Sequence, residues 1–146
     1  MLKTRLIPVL LLKNGILVRS RNFTFHQSMG NHIGQVKRFS EWKADEIIYL
    51  DISRDNTYGL DNIKNVIGSS SSKSEVVQNS KKNLIDIVAD ISKICRVPLS
   101  VGGKIKTLED IKKRLNAGAD KIIINSAAID NPKFIKEAAK EFGSQC

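Results

Sequence analysis

Aromatic residues make up only 5% of this 146-residue chain, too few for a protein that holds single-stranded nucleic acid by stacking on its bases. Cysteine occurs twice, at Cys95 and Cys146, and histidine twice, at His26 and His32. The cysteine spacing fits neither a metal site nor a redox pair, and the histidines lie in a polar stretch without neighbouring carboxylates. Metal binding and disulfide staples are therefore not expected. No apolar run approaches the length of a membrane span. Leu6 to Leu12 follows Lys3 and Arg5 but no small-residue cleavage site comes after it, so it reads as a strand and not as a signal-peptide core. A cytoplasmic protein without membrane partners is expected. Acidic residues are outnumbered, 15 against 24 basic ones, for a net charge of +9. The excess cations are spread along helical stretches such as Lys112-Lys113-Arg114 and Lys133 to Lys140. They read as solvated helix faces and not as a nucleic-acid interface.

The 41% hydrophobic and 27% charged residues suit one globular domain over residues 1–146. Strand one reads Arg5 to Leu12, apolar nearly throughout, as a strand covered on both faces should be. Lys13-Asn14-Gly15 is turn chemistry, Ile16-Leu17-Val18 extends a small hairpin, and a polar loop follows from Arg19 to about Asn31. A helix is expected from about Ile33 to Lys43, its inward stripe an imperfect Ile33, Val36, Lys37, Phe39 and Ser40. Strand two is Glu46 to Ile52. The segment from Ser53 to about Ser80, containing Gly68-Ser69-Ser70-Ser71-Ser72, reads as a flexible insertion. Helix two runs from about Lys81 to Cys95, with Leu84, Ile85, Ile87, Val88, Ile91 and Ile94 at helical spacing. Strand three is Leu99 to Val101. Helix three spans about Leu108 to Ala117, with Thr107 as N-cap, Asp110 three residues on, and Gly118 at its end. Strand four is Lys121 to Asn125, and a last helix runs from Pro132 to Phe142, closed by Gly143.

Two strand ends have the makings of an anion site. Val97-Pro98-Leu99-Ser100-Val101-Gly102-Gly103 and Lys121-Ile122-Ile123-Ile124-Asn125-Ser126-Ala127-Ala128 each lead from a buried-type strand into small residues and then a helix. Backbone N–H groups in such loops can approach a phosphate; the same pattern also makes a tight turn with no ligand. Four βα units in succession imply a parallel sheet with right-handed crossovers. A small open sheet and half of an eight-stranded barrel both satisfy the pattern.

Particular words in the sequence go further. Met1-Leu2-Lys3-Thr4-Arg5-Leu6-Ile7-Pro8, Asp45-Glu46-Ile47-Ile48-Tyr49-Leu50-Asp51-Ile52, Val101-Gly102-Gly103, Gly118-Ala119-Asp120-Lys121-Ile122-Ile123-Ile124-Asn125-Ser126-Ala127-Ala128 and Phe142-Gly143-Ser144-Gln145 occur in order. Together they resemble the N-terminal half of the cyclase subunit of imidazole glycerol phosphate synthase, everywhere but the insertion around residues 56–80. The resemblance implies four βα units forming the N-terminal half of a TIM-type (β/α)₈ barrel. It implies ammonia supplied by a glutaminase partner at the bottom of the barrel and a phosphorylated small-molecule substrate at the top. It implies no metal and no organic cofactor.

Residue by residue, Arg5, Glu46 and Lys121 match a charged ring that gates ammonia in the family, and Asp120 matches a position facing the glutaminase. Asp51 matches a strand-end carboxylate near the substrate. Gly102, Gly103, Asn125 and Ser126 match one of two phosphate sites, with Lys104 where a third glycine is usual. Leu11 stands where the family has an aspartate used as acid and base in cyclisation, and a leucine has no proton to exchange. Such a catalyst is commonly worth about 10²–10⁴-fold. Arg19 replaces a mobile-loop lysine, keeping its charge but not its geometry. The family's strand five would begin just past Cys146, so the other catalytic aspartate and second phosphate site are absent from this stretch. Asp130, in the turn before the last helix, is not that aspartate.

Three functions follow from the resemblance. The first is a diverged ammonia receiver, like a second-copy subgroup linked to sugar amidation in surface-polysaccharide (lipopolysaccharide) synthesis. The second is a cyclase subunit of histidine biosynthesis. The third is a non-catalytic half-barrel that self-associates or awaits a complementing C-terminal half, since half a barrel exposes unpaired strand edges.

Overall fold

A computed structural model describes residues 3–22, 24–54 and 83–144. Residues 55–80 of the serine-rich insertion, the expected start of helix two at Lys81, and Cys146 lie outside the described residues.

Six strands form one sheet. They are β1 (Val9–Lys13), β2 (Ile16–Arg21), β3 (Phe25–Ser28), β4 (Ile47–Asp51), β5 (Leu99–Gly102) and β6 (Lys121–Ile123), in the order β3-β2-β1-β4-β5-β6. The strands β1, β4, β5 and β6 are mutually parallel; in the element order β4, β5 and β6 each lead to a helix and β1 leads to one through the β2–β3 hairpin, the βα succession expected of a partial TIM-type barrel. The helices are α1 (His32–Glu41), α2 (Leu84–Ser92), α3 (Leu108–Asn116), α4 (Ser126–Asp130) and α5 (Pro132–Phe142).

Strand residues alternate between two faces. Leu10, Leu12, Ile47, Tyr49, Leu99 and Val101 are buried against Val36 of α1 and Leu84, Ile87, Val88 and Ile91 of α2. A second cluster joins Ile122 and Ile105 to Ile111 of α3 and Phe134 of α5. These apolar contacts supply most of the stabilisation. Burial holds the Tyr49 hydroxyl well above its usual range, and that hydroxyl donates to the His32 carbonyl at 3.3 Å. The opposite face bears Val9, Leu11, Ile48, Leu50, Ser100 and Gly102, paired across the strands as Val9 with Ile48, Leu11 with Leu50, Ile48 with Ser100, and Leu50 with Gly102.

Helix ends follow the capping chemistry of the sequence. Thr107 and Asp110 make a full capping box on α3, and Asn83 with Asp86 makes another on α2. Several expectations need correction. The stretch from Arg19 to Asn31 is not a loop: β2 continues to Arg21 and pairs with β3, Ser20 opposite His26. Both histidines are buried, His26 within β3 and His32 in the first turn of α1. The first helix ends at Glu41 and leaves Lys37 exposed. Strand four stops at Ile123, and residues 126–130 coil into α4, so Asp130 ends a short helix.

Candidate functional site

At the N-terminal ends of the parallel strands, charged groups gather on the face that also carries Leu11. The Glu46 carboxylate, 7% exposed, accepts from Arg5 Nη2 and Lys121 Nζ, each at 2.9 Å. The Ser100 hydroxyl, on the strand between them, donates to its other oxygen, Oε1. The Ser100 hydrogen bond above all, and the two cations against the opposing pull of burial, hold the Glu46 carboxyl down at about 2. Beside this cluster, Asp120 is tied to β5: its Oδ2 accepts from the Leu99 N–H at 2.8 Å, and its own N–H donates to the Leu99 carbonyl. Asp45 accepts from the Leu6 N–H at 2.7 Å. The fold thus brings Arg5, Glu46, Asp120 and Lys121 to one end of the sheet, from residues as far as 116 positions apart in sequence.

At the opposite, C-terminal end lies a cavity of about 990 Å³, bordered by Asp51, Gly103, Lys104, Asn125 and Ser126 among others. Gly103 has φ +103°, and a Cβ there would lie 2.3 Å from the Asp51 carbonyl oxygen. Only glycine permits that approach. Gly102 is buried and does not border the cavity; its missing side chain makes room for Leu50 and Ile123. Lys104, in the left-handed region at φ +53°, places Nζ 3.7 Å from Asp51 Oδ2. The other carboxylate oxygen of Asp51 accepts from the Ser53 N–H at 2.9 Å and the Ser53 hydroxyl at 2.5 Å. Ser53 Oγ in turn accepts from the Asn14 N–H at 2.7 Å. Hydrogen bonds and one ion pair thereby link the tops of β1, β4 and β5.

Arg114 was expected on a solvated face with Lys112 and Lys113. It is 6% exposed, donating from Nη1 to the Asp110 carbonyl and from Nη2 to the Gly103 carbonyl, both at 2.7 Å. It holds the glycine loop from beneath. The sequence did contain the signal: Arg114 is three residues after the buried Ile111 and adjacent to Leu115, the inward phase of α3. Burial pushes the Asp110 carboxyl up, but hydrogen bonds from Lys106 and Thr107 outweigh it and leave it below its usual value.

Leu11 packs with Ile16, Val18 and Ile52 in a small apolar cluster. Arg19 is exposed and is paired with Gln27; alternation from Val18, the partner of Leu11, puts Arg19 on the other face of the hairpin. Leu11 and Arg19 are thus not brought together. Lys13, two residues above Leu11, has Nζ 3.1 Å from Nδ1 of the buried His26.

Residues 75–146 match the family model described as histidine biosynthesis protein. Over all 146 residues the chain is 39% identical to a Campylobacter jejuni protein provisionally named imidazole glycerol phosphate synthase subunit hisF2, covering 50% of it. It is 41% identical to a Vibrio vulnificus protein of the same provisional name, covering 46%. It is 36% identical to imidazole glycerol phosphate synthase subunit HisF of Staphylococcus saprophyticus, covering 49%. The chain spans about half the length of the curated relatives it matches.

Proposed function

We propose that this HisF-like chain forms the ammonia-receiving, phosphate-binding part of a synthase subunit of the imidazole glycerol phosphate type. In this reading it works with a glutaminase and has diverged from ring closure toward amidating a sugar for a surface polysaccharide. The observation that supports it is an asymmetry along one sheet face. The Arg5, Glu46 and Lys121 cluster is complete at the lower end, whereas Leu11 sits among Ile16, Val18 and Ile52.

The chemistry follows from charge and polarity. A glutaminase docked around Arg5, Glu46, Asp120 and Lys121 would release ammonia beside a cluster whose central carboxylate, Glu46, already accepts from Arg5, Lys121 and Ser100. Beyond it, Val9, Ile48, Leu11 and Leu50 offer apolar surface, which favours the neutral form. The substrate phosphate is assigned to Gly103, Asn125 and Ser126, with Gly102 giving the loop its close packing. In this reading leucine at position 11 has no proton to exchange for imidazole closure, so ammonia addition to a carbonyl carbon is the step retained.

A second reading is a cyclase subunit of histidine biosynthesis, a lyase yielding imidazole glycerol phosphate and an aminoimidazole carboxamide ribotide. The relatives named HisF and the strand-end carboxylate of Asp51 favour it. The discriminating assay supplies the protein and a glutaminase subunit with glutamine and the phosphorylated ribulosyl aminoimidazole carboxamide. No ring closure is expected, and Leu11→Asp should restore a measurable rate once the C-terminal half of an aspartate-bearing relative is supplied as well. Turnover by the unaltered protein equal to that of an aspartate-bearing relative would replace the first reading with the second.

A further inference from the structure

We propose that Lys13, aimed by the ring of His26, is the acid and base for ammonia addition, so that the proton work sits two residues up β1 from Leu11. The assignment depends on the ammonia-receiving reading above and names the group that serves that step.

Strand alternation puts the participants on one face. There β1 carries Val9, Leu11 and Lys13, with Val9 and Leu11 beside the apolar Ile48 and Leu50. Ammonia passing the Glu46 cluster along this face meets hydrocarbon until it reaches Lys13, about 6.6 Å beyond Leu11. β2 contributes Ile16, opposite Lys13, Val18, opposite Leu11, and by alternation Ser20. His26 is opposite Ser20 and so joins the same face from β3. Asp51, by contrast, is the strand partner of Leu12, which belongs to the face covered by helices. Its carboxylate is engaged by Ser53 and Lys104.

The contact between Lys13 and His26 has one direction. Nζ lies 3.1 Å from Nδ1. An ammonium has three donors and no lone pair, so Lys13 donates and the ring proton belongs on Nε2. The ring is buried; burial, then the Lys13 charge, weakens its hold on a second proton. His26 therefore stays an acceptor, fixing one N–H of Lys13 and leaving two for a substrate. Next to it the Ser20 hydroxyl is buried with no hydrogen-bond partner among the described residues. A buried polar group of that kind calls for a partner, and a substrate oxygen held by Lys13 would supply one.

In the addition, the ammonia lone pair forms the C–N bond and the carbonyl π pair moves onto oxygen. Lys13 gives that oxygen a proton, and the resulting amine takes the surplus proton from the new nitrogen. The product is a carbinolamine, and Lys13 is an ammonium again, so no co-reactant is consumed.

The test traps the adduct. The carbinolamine loses water to an imine, which cyanoborohydride reduces to a stable amine. Mass spectrometry follows that amine from isotope-labelled ammonium chloride and the phosphorylated ribulosyl aminoimidazole carboxamide. Every arm contains the C-terminal half of an aspartate-bearing relative, and the intact chain should form amine well above that half alone. Lys13→Met and Lys13→Arg should each lose about 100-fold. Arginine keeps the charge and the hydrogen bond to His26 but does not release a proton, and its melting temperature should stay near the parent's. His26→Leu should lose about tenfold or more, whereas His26→Asn, with an amide oxygen close to the Nδ1 position, should recover most of the rate. Equal losses in the two His26 variants would overturn the aiming role of the ring. A rate for Lys13→Arg within about threefold of the parent would overturn the assignment and leave ammonia addition standing. An unaltered chain no faster than the added half would overturn the ammonia-receiving reading and this inference together.

Discussion

The hydroxyl of Ser100, on β5, donates to the carboxylate of Glu46, the residue just before β4, the foremost cause of a carboxyl group held at about 2. The sign of the pH effect follows. A depressed carboxyl stabilises the fold fully above its ordinary value near 4.5, and the contribution fades as pH falls from there toward 2. Ser100→Ala should raise the acid-unfolding midpoint and cost about 1–2 kcal/mol at neutral pH. Circular dichroism followed from pH 7 to pH 2 would show both, and an unchanged acid limb would refute the coupling.

Arg114 should matter more than its place in a charged run suggests. Arg114→Met removes two hydrogen bonds from a charged donor to carbonyls and should destabilise the protein by about 2–4 kcal/mol. Urea unfolding reads the loss. Arg114→Lys should recover only part of it, since one ammonium does not reproduce the fork that spans Asp110 and Gly103.

Two glycines should respond in opposite directions. Gly103→Ala places a methyl group 2.3 Å from the Asp51 carbonyl and should prevent native packing of the upper loop, with a loss of about 3 kcal/mol or more. Gly34, inside α1, has nothing within 4 Å of an added Cβ. Gly34→Ala should stabilise by about 0.5–1 kcal/mol. Melting temperatures of the two variants check the contrast.

His26 adds a second pH window. Burial, then the nearby Lys13 ammonium, lower its affinity for a proton, against a smaller opposite effect of the Thr24 backbone. Its unfolded form therefore binds the proton more readily, and stability should fall as pH drops below about 6.5. Replacing it, as in His26→Gln, should flatten that slope between pH 7 and pH 5 in denaturant titrations.

How much of this could be read from sequence depends on where the determining contact lies. The strands β5 and β6 were legible because Leu99, Val101 and Ile122 are apolar residues that pack under adjacent helices. The α3 cap was legible because Thr107 and Asp110 are three residues apart. β3 was not: Phe25-His26-Gln27-Ser28 has one apolar residue, and that one is exposed, while burial falls on the histidine. Only pairing with β2 makes it a strand. The role of Arg114 was hidden in a cationic run, because its carbonyl partner Gly103 is eleven residues back. At the lower end, the residues that meet at Glu46 were legible by resemblance, but the Ser100 hydrogen bond was not, since it depends on the register between β4 and β5.

The hairpin has a consequence for the rest of the sheet. β2 pairs with β1 only from Leu11 to Lys13, capping the upper third of that margin while the backbone from Arg5 to Leu10 stays outside this pairing. A strand adding there would run alongside the lower portion and be turned aside beneath Leu11. The hairpin therefore acts as a stop that sets how far any closing strand can climb, and with it the stagger at which a cylinder could be sealed.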